Sequence, residues 1–217
     1  LDSLPEDLVK GAVKVLNPMT TEHEFLRPSM RPSILQVASY NYRRQSRSLR
    51  LFESGRTFFS RTGNLPLEKE MLVGLLGGER WDGTWIGEKG KLGFFDAKGV
   101  LELLFGKLGL RVKFSPAESY WMHSGRTAEI KLVGPENTVL RVVGEILRGA
   151  PDSYGLDLDA LAMFEIDLDA VYENTLLHGD VTLFDSFSRT PGVYRDLSLL
   201  ADRDHSFLSI SQQKTEL

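Results

Sequence analysis

The chain has 217 residues, with 26 Lys and Arg against 30 Asp and Glu, so its formal net charge is −4. This balance excludes a protein that coats nucleic acid over its whole surface, and a hydrophobic fraction of 41% predicts a globular core. The chain contains no Cys, which excludes disulfide scaffolds, thiolate metal sites and a Cys nucleophile, and favours the cytosol.

The first half of the chain predicts a helix, a central strand and a second helix. The first helix covers Pro32 to Arg44, because proline suits a first turn and apolar residues recur at helical spacing. The continuously apolar segment Met71 to Leu76 predicts a buried strand. The second helix covers Asp96 to Leu108, with Asp96 as its N-cap and Gly109 as a left-handed residue after its end.

Further strands are predicted after the second helix. Apolar and polar residues alternate in the segments Leu110 to Phe114, Ala128 to Leu132 and Ala162 to Leu168, which predicts one buried and one solvated face in each. The segment Val139 to Ile146 is apolar enough for a central strand. Strands joined by short turns, with helices between groups of strands, predict an α+β fold with a largely antiparallel sheet.

A domain boundary is predicted near residue 180, where the chain turns polar before a new strand-like run from Val193 to Leu200. The tail after this boundary has fewer than about 40 residues, too few for a stable domain. The start of the chain lacks the features of a signal peptide, and no apolar run is long enough for a membrane helix. Because the first residue is Leu1 instead of Met, we expect a fragment or a processed product.

The segment from Asn41 to Arg61, which we call the arginine stretch, is strongly basic. It contains a single acid, Glu53, and six arginines, namely Arg43, Arg44, Arg47, Arg50, Arg56 and Arg61. The stretch predicts a surface that contacts phosphate or an acidic partner. An equally good interpretation is a helix C-terminus followed by an exposed edge strand, where positive charge prevents edge-to-edge pairing. Both interpretations stay open at the level of sequence.

Most catalytic and metal-binding patterns are absent from the sequence. The four His residues have no metal-ligand spacing, and the glycine-rich region does not fit a P-loop, a nucleophile elbow or a dinucleotide fingerprint. The acids Glu165, Asp167 and Asp169 alternate along a predicted strand. We interpret them as the solvated face of that strand, with a pair of catalytic acids as the alternative.

Several strings of residues resemble the β chain of bacterial phenylalanyl-tRNA synthetase. In chain order they are Val15 to Met19, Phe25 to Leu35, Leu51 to Phe58, Phe94 to Val100, His123 to Ile130 and Phe187 to Leu197. The resemblance implies that residues 1–178 form a class II synthetase-like core domain, a non-catalytic copy whose antiparallel sheet is flanked by helices. It also implies that residues 179–217 are the truncated start of a ferredoxin-like anticodon-binding domain. The editing domain and the other N-terminal modules of the family are expected upstream of Leu1.

The resemblance further implies a role in attaching phenylalanine to its tRNA. In that family the α chain performs catalysis with ATP and Mg²⁺, and two α chains and two β chains form a heterotetramer. We therefore expect no catalytic residue, metal or cofactor in this fragment, no membrane, and a cytoplasmic location. A class II site needs an arginine on a strand–loop–strand unit, and we expect no such loop between the first helix and Leu49 to Phe52.

Some residues receive expected roles from the resemblance. Arg189 and Arg195 lie in the expected anticodon-binding segment and are candidates for proximity to tRNA. In the string that starts at His123, we expect Gly125 to meet a turn requirement and Arg126 to serve packing or an interface. The other hypotheses are a free-standing nucleic-acid or protein binding module that uses the arginine stretch, and an independent acid–base enzyme that uses Glu165 and Asp167.

Overall fold

The computed structural model describes residues 4–20, 24–44, 46–81, 90–134, 137–147, 149, 154–158, 160–178, 196, 198 and 200. Residue contacts divide the chain into two units, Leu1–Thr182 and Leu183–Leu217. The helices and strands described below all belong to the first unit. The expected start of an anticodon-binding domain falls almost entirely outside the described residues.

Among the described residues the helices and strands come in groups along the chain. They are α1 (Glu6–Lys10), α2 (Arg31–Tyr42), β1 (Ser48–Phe59), β2 (Leu67–Gly78), α3 (Phe94–Lys107), β3 (Val112–Pro116), β4 (Met122–Leu132), β5 (Val139–Ile146), β6 (Leu161–Asp167) and α4 (Leu168–His178).

The strands form one sheet of six strands in the order β1-β2-β6-β5-β4-β3. All neighbouring strands are antiparallel, which confirms the predicted α+β class with an antiparallel sheet. The hairpin of β1 and β2 forms one side of the sheet, and β3, β4 and β5 form a meander on the other. Strand β6 comes last in sequence, and it lies between β2 and β5 and joins the two halves.

Each face of the sheet packs against its own helices. On one face, Ile34 and Leu35 of α2 belong to a buried cluster with Leu49, Met71 and Met163 of the strands. On the opposite face, α3 and α4 cover a second cluster, with Leu101 and Phe105 of α3 and Val171 of α4 against strand residues that include Ile130, Val143 and Phe164. The sheet is therefore a central layer that is apolar on both sides.

The two predicted helices are confirmed with small shifts at their ends. Helix α2 ends at Tyr42 and α3 begins at Phe94. Asp96 is therefore not the N-cap of α3, and its carboxylate instead accepts a hydrogen bond from the backbone N–H of Gly93 at 3.0 Å. Gly109 has φ of +68°, as predicted for the left-handed residue after the helix.

The prediction of a half-solvated strand at Ala162 to Leu168 is wrong. All residues of β6 are buried, because the strand has a neighbour on each side and helices or their connecting segments over both faces. Glu165 is 1% exposed and Asp167 is 7% exposed, so neither acid lies on a solvated face. The strand ends at Asp167, and Asp169 lies in the first turn of α4.

Candidate functional site

A charged pair is buried where α2 begins, on the face of the sheet that carries this helix. Arg31 is the first residue of α2, and Glu165 points from β6 toward it. Nε of Arg31 donates a hydrogen bond to Oε2 of Glu165 at 2.8 Å, and the two side chains are 3% and 2% exposed. A pair this deeply buried is stable only when its remaining polar atoms also have partners.

The remaining nitrogens of the Arg31 guanidinium do have partners. Nη1 donates to the backbone oxygen of Tyr120 at 2.6 Å, and Nη2 donates to Oγ of Ser119 at 3.0 Å. The guanidinium also lies 3.9 Å from the centre of the Tyr120 ring, which adds a cation–π contact. Arg31 is thus bound on all sides by groups of its own chain.

Ser29 completes the arrangement, which we call the Arg31–Glu165 network and define as Ser29, Arg31, Ser119, Tyr120 and Glu165. Oγ of Ser29 accepts a hydrogen bond from the backbone N–H of Arg31 at 3.2 Å and lies 3.4 Å from Oε1 of Glu165. The hydroxyl of Tyr120 is 2.8 Å from the same Oγ. Since Ser29 donates its single proton to the carboxylate, Tyr120 is the donor in this last contact.

A cavity of about 250 Å³ lies beside the Arg31–Glu165 network. Its wall includes Arg141, whose Nη1 is 3.8 Å from Oε2 of Glu165, and the acids Glu118 and Glu129. Glu129 forms an ion pair with Lys131 at 2.6 Å. The cavity therefore has charges of both signs on its wall.

The environment of the network changes the pKa of Tyr120. Burial raises the pKa of Tyr120 to about 12, because the phenolate loses its hydration, and the nearby Glu165 carboxylate acts in the same direction. The Arg31 guanidinium and the hydrogen bond with Ser29 oppose this increase of the pKa. The neutral phenol is the form that the network accommodates.

We expect this pKa to make folding stability fall at alkaline pH. In the unfolded chain tyrosine loses its proton near pH 10, whereas folded Tyr120 keeps it to about pH 12, so the free energy of unfolding decreases between these values. Urea unfolding at several pH values measures this free energy of unfolding. Between about pH 10 and pH 12 it should fall more steeply in the wild type than in Tyr120→Phe, by about 1 kcal/mol per pH unit. Parallel curves for the two proteins would contradict the raised pKa.

The arginine stretch does not form one surface. Leu49 and Leu51 of β1 pack on the side of α2, and side chains alternate along a strand, so Arg50 and Arg56 lie on the opposite face. Arg50 donates to Oγ of Ser48 at 2.6 Å. Arg56 forms ion pairs with Glu68 at 3.0 Å and Glu70 at 2.5 Å on β2. Strand β1 is indeed an edge strand, as the second interpretation predicted.

The other arginines of the stretch lie at its two ends. Arg43, Arg44 and Arg47 are exposed in the short connection from α2 to β1. Arg61 follows β1, so the length of a strand of 12 residues, roughly 36 Å, separates it from Arg47. The stretch therefore divides into one exposed group after α2, two side chains on the other face, and one distant arginine.

The expectation that no strand–loop–strand unit follows α2 is wrong. Strands β1 and β2 pair along their whole length and are joined by residues 60–66. The sequence misled us because the start of β1 is close to the end of α2 and the turn lies much later. The arginine near the end of β1, Arg56, is held by the two carboxylates of β2.

The string that starts at His123 lies on β4. Gly125 is inside this strand at an irregularity of its pairing with β5 and not in a turn, so the expected turn requirement is wrong. Its N–H donates to Nδ1 of His123 at 3.1 Å. Arg126 forms an ion pair with Glu145 on β5, whose carboxylate also accepts a hydrogen bond from the N–H of Phe94 at 3.3 Å. These contacts connect the sheet to the start of α3.

Sequence reasoning missed the Arg31–Glu165 network, although one signal was present. Glu165 interrupts a run of apolar residues, Leu161 to Ile166, and a charge within such a run indicates a buried charge that needs a partner. Nothing in the sequence identified that partner as Arg31, because 134 positions separate the two residues. The sequence also did not predict the role of Tyr120, since this residue lies in the loop before β4.

Two further observations concern other kinds of site. Within the described ranges, no three His, Asp or Glu side chains are grouped so that they could hold a metal ion. None of the helices in that part of the chain is long and apolar enough to cross a membrane. Arg189 and Arg195, the candidates for proximity to tRNA, lie outside the described residues.

The fold and the network define a class of protein: an α+β domain with an open antiparallel sheet and a charged network buried where α2 meets β6. A protein-family model described as the phenylalanyl tRNA synthetase beta chain CLM domain matches residues 1–168. The chain belongs to this family.

Curated relatives agree with the family. The chain is 35% identical over 198 residues to the phenylalanine–tRNA ligase beta subunit of Listeria innocua, a match that covers 90% of this chain and 24% of the relative. It is 33% identical over 206 residues to the beta subunit of Halalkalibacterium halodurans, with 92% and 24% covered. The Staphylococcus aureus beta subunit is 36% identical over 197 residues, with 90% and 24% covered. The chain thus spans about a quarter of the length of these relatives.

Proposed function

We propose that this chain is the synthetase-like core of a phenylalanyl-tRNA synthetase β subunit, a non-catalytic copy of the class II fold. It supports an α chain that attaches phenylalanine to its tRNA, in a cytosolic assembly of two α and two β chains. The single observation that carries this proposal is the Arg31–Glu165 network. A catalytic face has to present free polar groups to substrate, whereas this face uses its arginine and its carboxylate to hold the fold.

The proposal assigns ATP and Mg²⁺ to the α chain. A phosphate-clamping arginine on the unit of β1 and β2 has to be free to reach its ligand, and Arg56 is held by Glu68 and Glu70. The same reasoning disfavours an acid–base enzyme. Glu165 is bound by Arg31, and Asp167 is bound by Lys69 at 2.5 Å and accepts a hydrogen bond from the N–H of Ala170 at 3.2 Å.

An exposed apolar stripe on α3 supports a role inside an assembly. Phe95 is 82% exposed and Leu103 is 64% exposed, and a side chain added at Gly99 or Gly106 would meet no atom within 4 Å. We call this surface, formed by Phe95, Gly99, Leu103 and Gly106, the α3 stripe. Large apolar side chains that neighbour each other on a surface are typical of protein interfaces. We propose that the α chain covers this stripe.

We expect the purified chain to associate with a phenylalanyl-tRNA synthetase α chain at micromolar concentration, because a scaffold subunit buries apolar surface in its assembly. Light scattering of the mixture measures the association. The chain alone should give no phenylalanine-dependent exchange of pyrophosphate into ATP, since positioned catalytic groups are the main resource in such reactions. Absence of association, or exchange by the chain alone, would contradict the proposed function.

The α3 stripe is tested with a matched pair of double variants. Phe95→Asp with Leu103→Asp places two charges on the stripe and should abolish the association. Leu16→Asp with Leu65→Asp adds the same two charges at apolar side chains that are 101% and 86% exposed elsewhere, and should leave it unchanged. If both variants associate like the wild type, the α chain uses another surface.

A further inference from the structure

The end of α2 carries a basic surface that lies apart from the Arg31–Glu165 network. We define the α2-end surface as Tyr40, Arg43, Arg44 and Arg47, all of which are exposed. The first three line a cavity of about 500 Å³ together with Gln36 and Ser39. The guanidinium of Arg44 lies over the ring of Tyr40 at 3.6 Å from its centre.

The arginines of this surface differ from most others in the way their charge is balanced. Arg27, Arg31, Arg56, Arg80 and Arg126 all have a carboxylate within ion-pair distance. Among the described residues, no carboxylate lies within that distance of Arg43, Arg44 or Arg47. Nη2 of the Arg43 guanidinium lies 3.5 Å from the backbone oxygen of Tyr154, a weak contact with a neutral acceptor.

The stability of α2 does not account for three such groups. One cation near a helix C-terminus interacts favourably with the helix dipole, but additional guanidinium groups nearby repel one another. Their accumulation in a chain with a net charge of −4 makes the end of α2 a local site of positive potential. An anionic partner removes that repulsion.

The chemistry of the surface favours RNA over an acidic protein segment. A guanidinium binds phosphate oxygens through two parallel hydrogen bonds, and an aromatic ring or a guanidinium plane stacks with an unpaired base. Tyr40 and Arg44 already form such a stack, and it is 60% exposed at the tyrosine. We propose that the α2-end surface binds the sugar–phosphate backbone of RNA, with the Tyr40 and Arg44 pair in contact with a base. That the RNA is a tRNA rests on the proposed function.

Two double variants with the same change of charge test this proposal. Arg43→Gln with Arg44→Gln and Arg50→Gln with Arg56→Gln each change the formal net charge from −4 to −6, that is, by two units. The second pair lies on the opposite face of the sheet and serves as the control. Fluorescence anisotropy measures binding of a labelled tRNA transcript to the 217-residue chain at several salt concentrations, and circular dichroism checks that both variants fold.

We expect the variant Arg43→Gln with Arg44→Gln to bind tRNA about tenfold more weakly near 0.1 M salt. The slope of the logarithm of its binding constant against the logarithm of the salt concentration should be smaller in magnitude by about 1.5. The control should stay within about twofold of the wild type. Arg43→Lys with Arg44→Lys keeps the charges but loses the paired hydrogen bonds and the stack on Tyr40, so its affinity should lie between those of the wild type and the Gln variant, about threefold below the wild type. If the Gln variant and the control lose affinity equally, or if the Lys variant binds as tightly as the wild type, the proposal is overturned.

A competition experiment separates RNA from an acidic protein. Poly-L-glutamate matched to the tRNA in total charge should displace the labelled tRNA poorly, and displacement as efficient as that by unlabelled tRNA would overturn the assignment to RNA. The titration requires no α chain, so its failure leaves the proposed subunit role intact. Conversely, a chain that fails to associate with the α chain still gives a valid result for RNA.

Discussion

Replacing Glu165 by Ala should destabilise the chain by about 3–5 kcal/mol, because it leaves the charge of Arg31 buried without its carboxylate. Arg31 cannot turn toward water, since Tyr120 and Ser119 hold its other nitrogens and its side chain is 3% exposed. Urea unfolding followed by circular dichroism measures the loss as a lower midpoint at unchanged slope.

Two further variants separate the charge from the volume of the side chain. Arg31→Met with Glu165→Leu removes both charges and keeps most of the volume, so it should recover most of the lost stability. Glu68→Gln removes one carboxylate of an exposed ion pair and should leave the midpoint unchanged. If Glu165→Ala unfolds at the wild-type midpoint, the network does not hold the two elements together.

Replacing Phe105 by Ala should destabilise the chain by about 3–5 kcal/mol, through lost burial and the cavity that remains. Phe105 is fully buried where α3 packs on the sheet, among residues that already fill the space. The same helix supplies the control, because Phe95→Ala removes an equal volume from a side chain that is 82% exposed. That control should change stability by less than about 0.5 kcal/mol. Equal losses in the two variants would show that α3 does not pack through the face containing Phe105.

Elements with a regular apolar pattern could be predicted from the sequence. Helices α2 and α3 have buried residues at helical spacing, because burial of one stripe makes apolar residues recur periodically. Strand β5 was predicted at its observed bounds from its largely apolar segment. Strand β6 shows the limit of such a pattern. Its alternation of apolar and acidic residues was interpreted as a solvated face, whereas the acids are buried with cationic partners. Alternation shows which residues share a face, and only the neighbouring elements determine whether water reaches it.

The candidate sites were less predictable, because they depend on contacts between distant segments. The arginine stretch was visible as a composition, but strand alternation places Arg50 and Arg56 on the face opposite α2. Ser29, Tyr120 and Glu165 come from three separate parts of the chain. Their meeting depends on the order of strands in the sheet, and no local pattern records that order.

The central position of β6 has a consequence for how the chain acquires its structure. Leu72 pairs with Ile166, so completion of the sheet requires closure of a loop of 94 residues, whereas β1 pairs with β2 and β3 with β4 as neighbours in sequence. On a ribosome that adds about 5–20 residues per second, β2 has no β6 strand to pair with for roughly 5–20 seconds. During this interval β2 has an unpaired apolar edge, and β5 adds a second one once it has been synthesised shortly before β6; such edges favour aggregation. We expect a nascent chain that stops before Leu161 to be captured by chaperones and one extended beyond α4 to be released.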